Sequence, residues 1–113
     1  MAQKFIELRN KKTGESALFQ HFGYDYHVQL ESEYKRKFGQ DWLAVGGGWW
    51  FKDDNKKVMF YYSRSHAFGR FDEDLVKELA EQRLKEKNLD YKVASYSGVE
   101  LDEAFMIYST ENE

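Results

Sequence analysis

A chain of 113 residues without a single cysteine has the length of one domain, spanning 1–113, and excludes disulfides, zinc–thiolate sites and every mechanism built on a cysteine nucleophile, the cysteine-dependent phosphatases included. Lys and Arg number 17 against 20 Asp and Glu, a net charge of −3, which argues against nucleic acid as a partner because backbone binding rests on clustered positive charge. No apolar run approaches the roughly 20 residues of a spanning helix, and the opening MAQKFIELRNKK lacks the apolar stretch of a signal peptide, so the expectation is a cytoplasmic protein with no membrane partner.

The elements follow in chain order. Residues 4–8 alternate strictly, with Lys4, Ile6 and Leu8 on one face and Phe5 and Glu7 on the other, which predicts a strand with Lys4 at the end of its apolar face. Turn residues fill 10–16 (NKKTGES) and predict a chain reversal. Over 24–38 two periods overlap: Tyr24, Tyr26, Val28 and Leu30 alternate like a strand, whereas Leu30, Tyr34 and Phe38 are spaced like a helix face. A changeover near His27 reconciles them, with the helix running through Lys35, Arg36 and Lys37 as a solvated face and ending at Gly39.

Residues 42–51 and 58–63 are rich in β-branched and aromatic types and flank Asp53, Asp54 and Asn55, the signature of a hairpin. Three consecutive glycines inside its first arm mark a bulge or a close approach of another backbone. They are not a nucleotide loop, because the Gly-Lys-Ser ending is missing. Residues 72–88 form the clearest helix, with Leu75, Val76, Leu79, Ala80 and Leu84 on one stripe and acidic residues at its start. Residues 91–96 read as a strand and 105–108 as a short last one. The order predicts an α+β fold, a mixed sheet of about five to six strands packed with two α-helices.

None of the three histidines, 21, 27 and 66, stands in a metal-ligand spacing, so neither a metal nor another cofactor is expected. His27 in the first turn of a helix feels the positive helix end, which keeps the ring neutral and available as base or nucleophile; the plainer reading is a partly buried ring satisfied by a backbone group. The loop 63–69 (SRSHAFG) follows a strand and precedes a helix, so its N–H groups and the Ser65 hydroxyl converge on an anion in the manner of a phosphate nest, with Arg64, His66 and Arg70 raising the local positive potential. The plainer reading here is an ordinary connection. A Ser–His–Asp hydrolase is disfavoured, because the GxSxG elbow is absent and Asp25 is poorly spaced to orient His27.

The ordered set KFIELR (4–9), YDYH (24–27), GGG (46–48), SHAFG (65–69) and LDYKVASYSG (89–98) resembles the Janus/Ocnus family over most of the chain. The resemblance implies a metal-independent phosphatase that hydrolyses the P–N bond of phosphohistidine in a protein or peptide substrate. It implies that the catalytic histidine falls on His27, that Lys4 binds phosphate, and that the anion loop falls on Ser65, His66 and Ala67. Two positions depart from the vertebrate pattern: Trp49 follows the glycines where that pattern has arginine, and His66 stands in place of methionine. The tail from Val99 onward extends past it.

Such chemistry suits these residues, since a phosphoramidate with a protonated imidazole leaving group is labile and positioning with charge stabilisation suffices. His27 acts either as nucleophile or as general base. A phosphate- or phosphoprotein-binding module without turnover, using Trp49 and Trp50 as a partner surface, is the alternative. A single-stranded nucleic-acid binder with exposed Tyr and Trp is the third reading. A monomer is expected rather than an oligomer.

Overall fold

The computed structural model describes residues 3–112. The first strand, β1 (Gln3–Asn10), sends Ile6 and Leu8 to one face and Phe5 to the other, and all three are fully buried. The predicted alternation is there, but both faces of the strand are covered. An Asn10 side chain accepting from the N–H groups of Lys12 and Thr13 (2.9 and 3.1 Å) turns the chain into β2 (Ser16–Gln20), which returns antiparallel to β1. Sequence patterning missed β2 because its apolar residues go to both faces, Leu18 to one cluster and Ala17 and Phe19 to another, which erases the polar alternation of a half-buried strand.

Helix α1 (His27–Phe38) begins at His27, with the Gln29 side chain accepting from the N–H groups of Asp25 and Tyr26 at 2.9 Å each. Its Leu30 packs on Ile6 and Leu8, and Gly39 caps it with φ of 117°, a value that glycine adopts readily. Lys35, Arg36 and Lys37 pair with Glu31 and Glu33 along the outer face, as a solvated helix face does. The strand-like alternation at 24–26 does not form a strand. Both edges of β1 are already taken by β2 and by β3 (Trp42–Asp53), and Tyr24 instead packs edge-on against His21.

The hairpin forms as predicted: β3 runs antiparallel to β4 (Val58–Ser63), and the Asp53 side chain accepts from the N–H groups of Asn55 and Lys56 in the turn. Helix α2 (Glu73–Glu86) follows, with Asp72 accepting from the Leu75 N–H at 3.1 Å. It buries Val76, Ala80 and Leu84 against Phe5, Trp50, Met59 and Tyr61. Strand β5 (Lys92–Ser97) then pairs parallel with β4. The result is a five-stranded mixed sheet in the order β2-β1-β3-β4-β5.

The last element corrects the sequence reading. Residues 105–108 are not a strand but lie within a third helix, α3 (Leu101–Glu111), so three helices pack on the sheet instead of two. Four consecutive apolar residues, Phe105 to Tyr108, do not distinguish the two periods. The wider spacing does, because Leu101, Ala104, Phe105 and Tyr108 recur at helical intervals and all join one cluster with Val58, Phe60, Tyr62 and Ala94. Helices α1 and α3 therefore share one face of the sheet and α2 covers the other. Phe105 lies edge-on to Phe60 with centroids 4.9 Å apart and faces Phe51 at 6.0 Å. Phe105→Ala is expected to lower unfolding free energy by about 2–3 kcal/mol, below the largest core truncations because the ring is only half-buried; urea denaturation checks it. No helix among the described residues is long and apolar enough to cross a membrane.

Candidate functional site

The glycine triplet sets the site. At the β1–β3 pairing the register shifts between Glu7 and Leu8, whose partners are Gly46 and Ala44, so Val45 is an extra residue that bulges β3 just before the glycines. A Cβ on Gly46 would stand 2.3 Å from the Arg70 carbonyl oxygen, and one on Gly48 would stand 2.3 Å from that of Tyr62. On Gly47 it would stand 2.8 Å from the Phe5 oxygen and 3.2 Å from both the His27 ring and the Ser65 Cβ. Bare backbone here lets the start of α1 and the loop after β4 close onto the middle of the sheet.

His27, at the first position of α1, lies 7% exposed in that contact. Its Nε2 is 2.8 Å from the Gly48 carbonyl oxygen. A carbonyl only accepts, so Nε2 carries the hydrogen and Nδ1, without a partner among the described residues, keeps the lone pair of a neutral ring. Burial holds the His27 pKa below the ordinary 6.5, and the Lys4 and His66 charges push the same way, against the hydrogen bond to Gly48. The position at the helix start predicts a neutral ring, and burial is the first cause that lowers its pKa. Gly48 as the orienting group left no motif to find, because a backbone carbonyl has no side-chain signature.

Lys4 reaches the same place from β1. Its Nζ lies 4.1 Å from the centre of the Trp49 ring, a favourable placement of a cation on an aromatic face. The His27 ring stands edge-on to Trp49 at 5.9 Å. Lys4, Asp25, Tyr26, His27, Val28, Trp49, His66 and Ala67 together line a cleft of about 290 Å³. Trp49 is thus the floor on which the lysine rests. Asp25 adds one carboxylate to the rim.

The loop after β4 contributes less than the sequence suggested. Ser63 ends the strand with φ of 60°, its N–H donating to the Val99 carbonyl at 2.7 Å. Ser65 is buried: its N–H donates to the Gly69 carbonyl (3.1 Å), and its hydroxyl oxygen accepts from the Phe68 N–H (3.1 Å). Both groups close the 65–69 turn and do not line the cleft. The N–H groups of His66 and Ala67 have no partner among the described residues and remain as donors. Arg64 lines a neighbouring cleft of about 410 Å³ with His66, Trp49, Tyr62, Ser63 and Glu100, and Arg70 packs on Gly98.

Four of the five residues singled out from the sequence, Lys4, His27, His66 and Ala67, therefore meet in one cleft, and Ser65 supports it from below. Trp50 and Tyr61, at 7% and 1% exposure, are core residues and offer no partner or nucleic-acid surface. The fold and cleft define a small α+β domain whose cleft is lined by a neutral histidine, a lysine and the loop residues His66 and Ala67. No protein-family model matches the chain, and no curated protein matches it.

Proposed function

We propose that the protein is a phosphohistidine phosphatase that works without a metal, as the resemblance to the Janus/Ocnus family implies. The observation that carries the proposal is the convergence on one cleft, from three separate segments, of a neutral His27 with a fixed tautomer, Lys4, and the loop residues His66 and Ala67, whose N–H groups have no other partner among the described residues. The anion donors hold the phosphoryl oxygens as charge develops. Water adds to phosphorus, and its proton goes to His27 Nδ1. The P–N bond breaks with its electron pair passing to the imidazole nitrogen, whose other nitrogen is already protonated, so histidine leaves neutral beside inorganic phosphate. Attack by Nδ1 itself is the variant route, and it would leave a phosphorylated His27 that acid-free quenching traps.

The pH dependence of kcat/KM on a phosphohistidine peptide tests this role. Because the His27 pKa is lowered, the acid limb is expected to have its midpoint below 6.5, with the rate falling again at higher pH as the leaving imidazole of the substrate loses its proton; an acid-limb midpoint at or above 6.5 contradicts the assignment. The same shift acts on folding. The unfolded histidine takes its proton first as pH falls, so this contribution to stability is complete above 6.5 and declines as pH drops toward the folded value.

A second reading, a module that binds phosphate or a phosphoprotein without turnover, is favoured by one observation. The Ser65 hydroxyl and N–H are both engaged within the turn, which leaves fewer donors than a full phosphate nest for the charge that develops in a transition state, while Lys4 still holds a ground-state anion. Under that reading Lys4→Met weakens phosphate binding and no phosphate is released by the unaltered protein.

A further inference from the structure

Trp49 and Trp50 are successive residues of β3 and face opposite sides of the sheet, so Trp50 enters the core beneath α2, away from the cleft of His27. Its Nε1–H is buried and is the one such side-chain polar atom among the described residues without a hydrogen-bond partner. Buried donors are nearly always paired, and an orphan one asks for an acceptor. Trp50 lines a cavity of about 250 Å³ whose apolar wall also includes Met59, Leu84 and Leu89.

Every charged residue on that cavity is basic: Lys52, Arg83 and Lys87. Lys52 is shared with Asp54 at 3.8 Å, and Arg83 donates to the Leu18 carbonyl at 3.0 Å. Lys87 is exposed and has no ion-pair partner among the described residues. The Tyr61 hydroxyl donates to the Gln20 side-chain oxygen, and neither oxygen accepts from the indole. Phe22 covers the indole edge-on, with centroids 5.1 Å apart, while remaining 64% exposed itself; turning that ring aside uncovers little buried area.

We propose that this cavity binds a small amphipathic carboxylate, an aryl- or alkyl-carboxylic acid. Its apolar body lies against Met59 and Leu84, and its carboxylate accepts from Trp50 Nε1–H beside Lys87 once Phe22 swings out. An apolar wall with one indole donor and a cationic rim suits a single carboxylate on a hydrocarbon body, whereas a phosphate needs more donors than are present.

Proton–nitrogen correlation spectra of the full chain, followed at the Trp50 indole N–H, provide the test, with phenylpropionate as probe and phenylpropanol and phenylpropylamine as controls. The carboxylate is expected to shift the Trp50 indole proton downfield and to bind more tightly than either control. Trp50→Phe, which keeps a ring but removes the donor, is expected to weaken phenylpropionate binding by about tenfold or more, and Lys87→Gln, at an exposed position, by about threefold. No movement of the Trp50 indole signal, equal binding of the alcohol or amine, or unchanged affinity in both variants would overturn the proposal.

Discussion

Replacing His27 is expected to remove activity while leaving a folded protein. His27→Ala should lower kcat/KM on a phosphohistidine peptide by about a hundredfold or more, the usual range for a positioned general base. It also leaves the Gly48 carbonyl without its buried donor, so some stability is lost with it. His27→Gln separates the two effects. A glutamine amide donates to the Gly48 carbonyl but brings no basic nitrogen, so this variant should be as inactive as the alanine while melting closer to the unaltered protein. If glutamine retained more than about a tenth of the activity, His27 would be a structural ring and the base would have to be sought elsewhere.

The largest effect on stability is expected at the glycine triplet. A Cβ on Gly48 meets the Tyr62 carbonyl oxygen at 2.3 Å, and backbone, unlike the end of a flexible side chain, has no rotamer by which to yield. Gly48→Ala should therefore destabilise the fold by about 3 kcal/mol or more, in the range of overpacked cores, as read from a denaturant midpoint. Gly47→Ala is the informative neighbour. Its Cβ presses on the Phe5 carbonyl oxygen and on the His27 ring, so it should cost activity out of proportion to the stability it loses. Equal stability of Gly48→Ala and the parent would mean that β3 and β4 do not approach as described.

The sequence is a good guide where one face of an element is apolar and the other polar. Helix α2 was read from its stripe to within two residues at each end, and the β3–β4 hairpin from its turn residues. It is a poor guide where an element is covered on both sides or where the window is short. β2 lacks polar alternation because Leu18 and Phe19 face different clusters. Residues 105–108 read as a strand because four apolar residues carry no period of their own, although Leu101, Ala104, Phe105 and Tyr108 do, within the helix α3.

The candidate site divides along the same line. Side chains with distinctive chemistry, Lys4, His27 and His66, were visible, and the glycines announced a close approach without naming what approaches. What the residues did not disclose were the backbone partners. The Gly48 carbonyl fixes the His27 tautomer, and the Ser65 hydroxyl turns inward to cap its own loop. Nor does residue type alone reveal that Trp49 supports the lysine through its ring face.

The claim that the cleft hydrolyses phosphohistidine is tested most directly by phosphate release from a phosphohistidine peptide in the presence of EDTA, with purified protein and its His27→Gln variant side by side. Multiple turnovers by the unaltered protein and none by the variant are the predicted result. Phosphate bound by both proteins but released by neither would contradict the phosphatase and leave a binding module in its place.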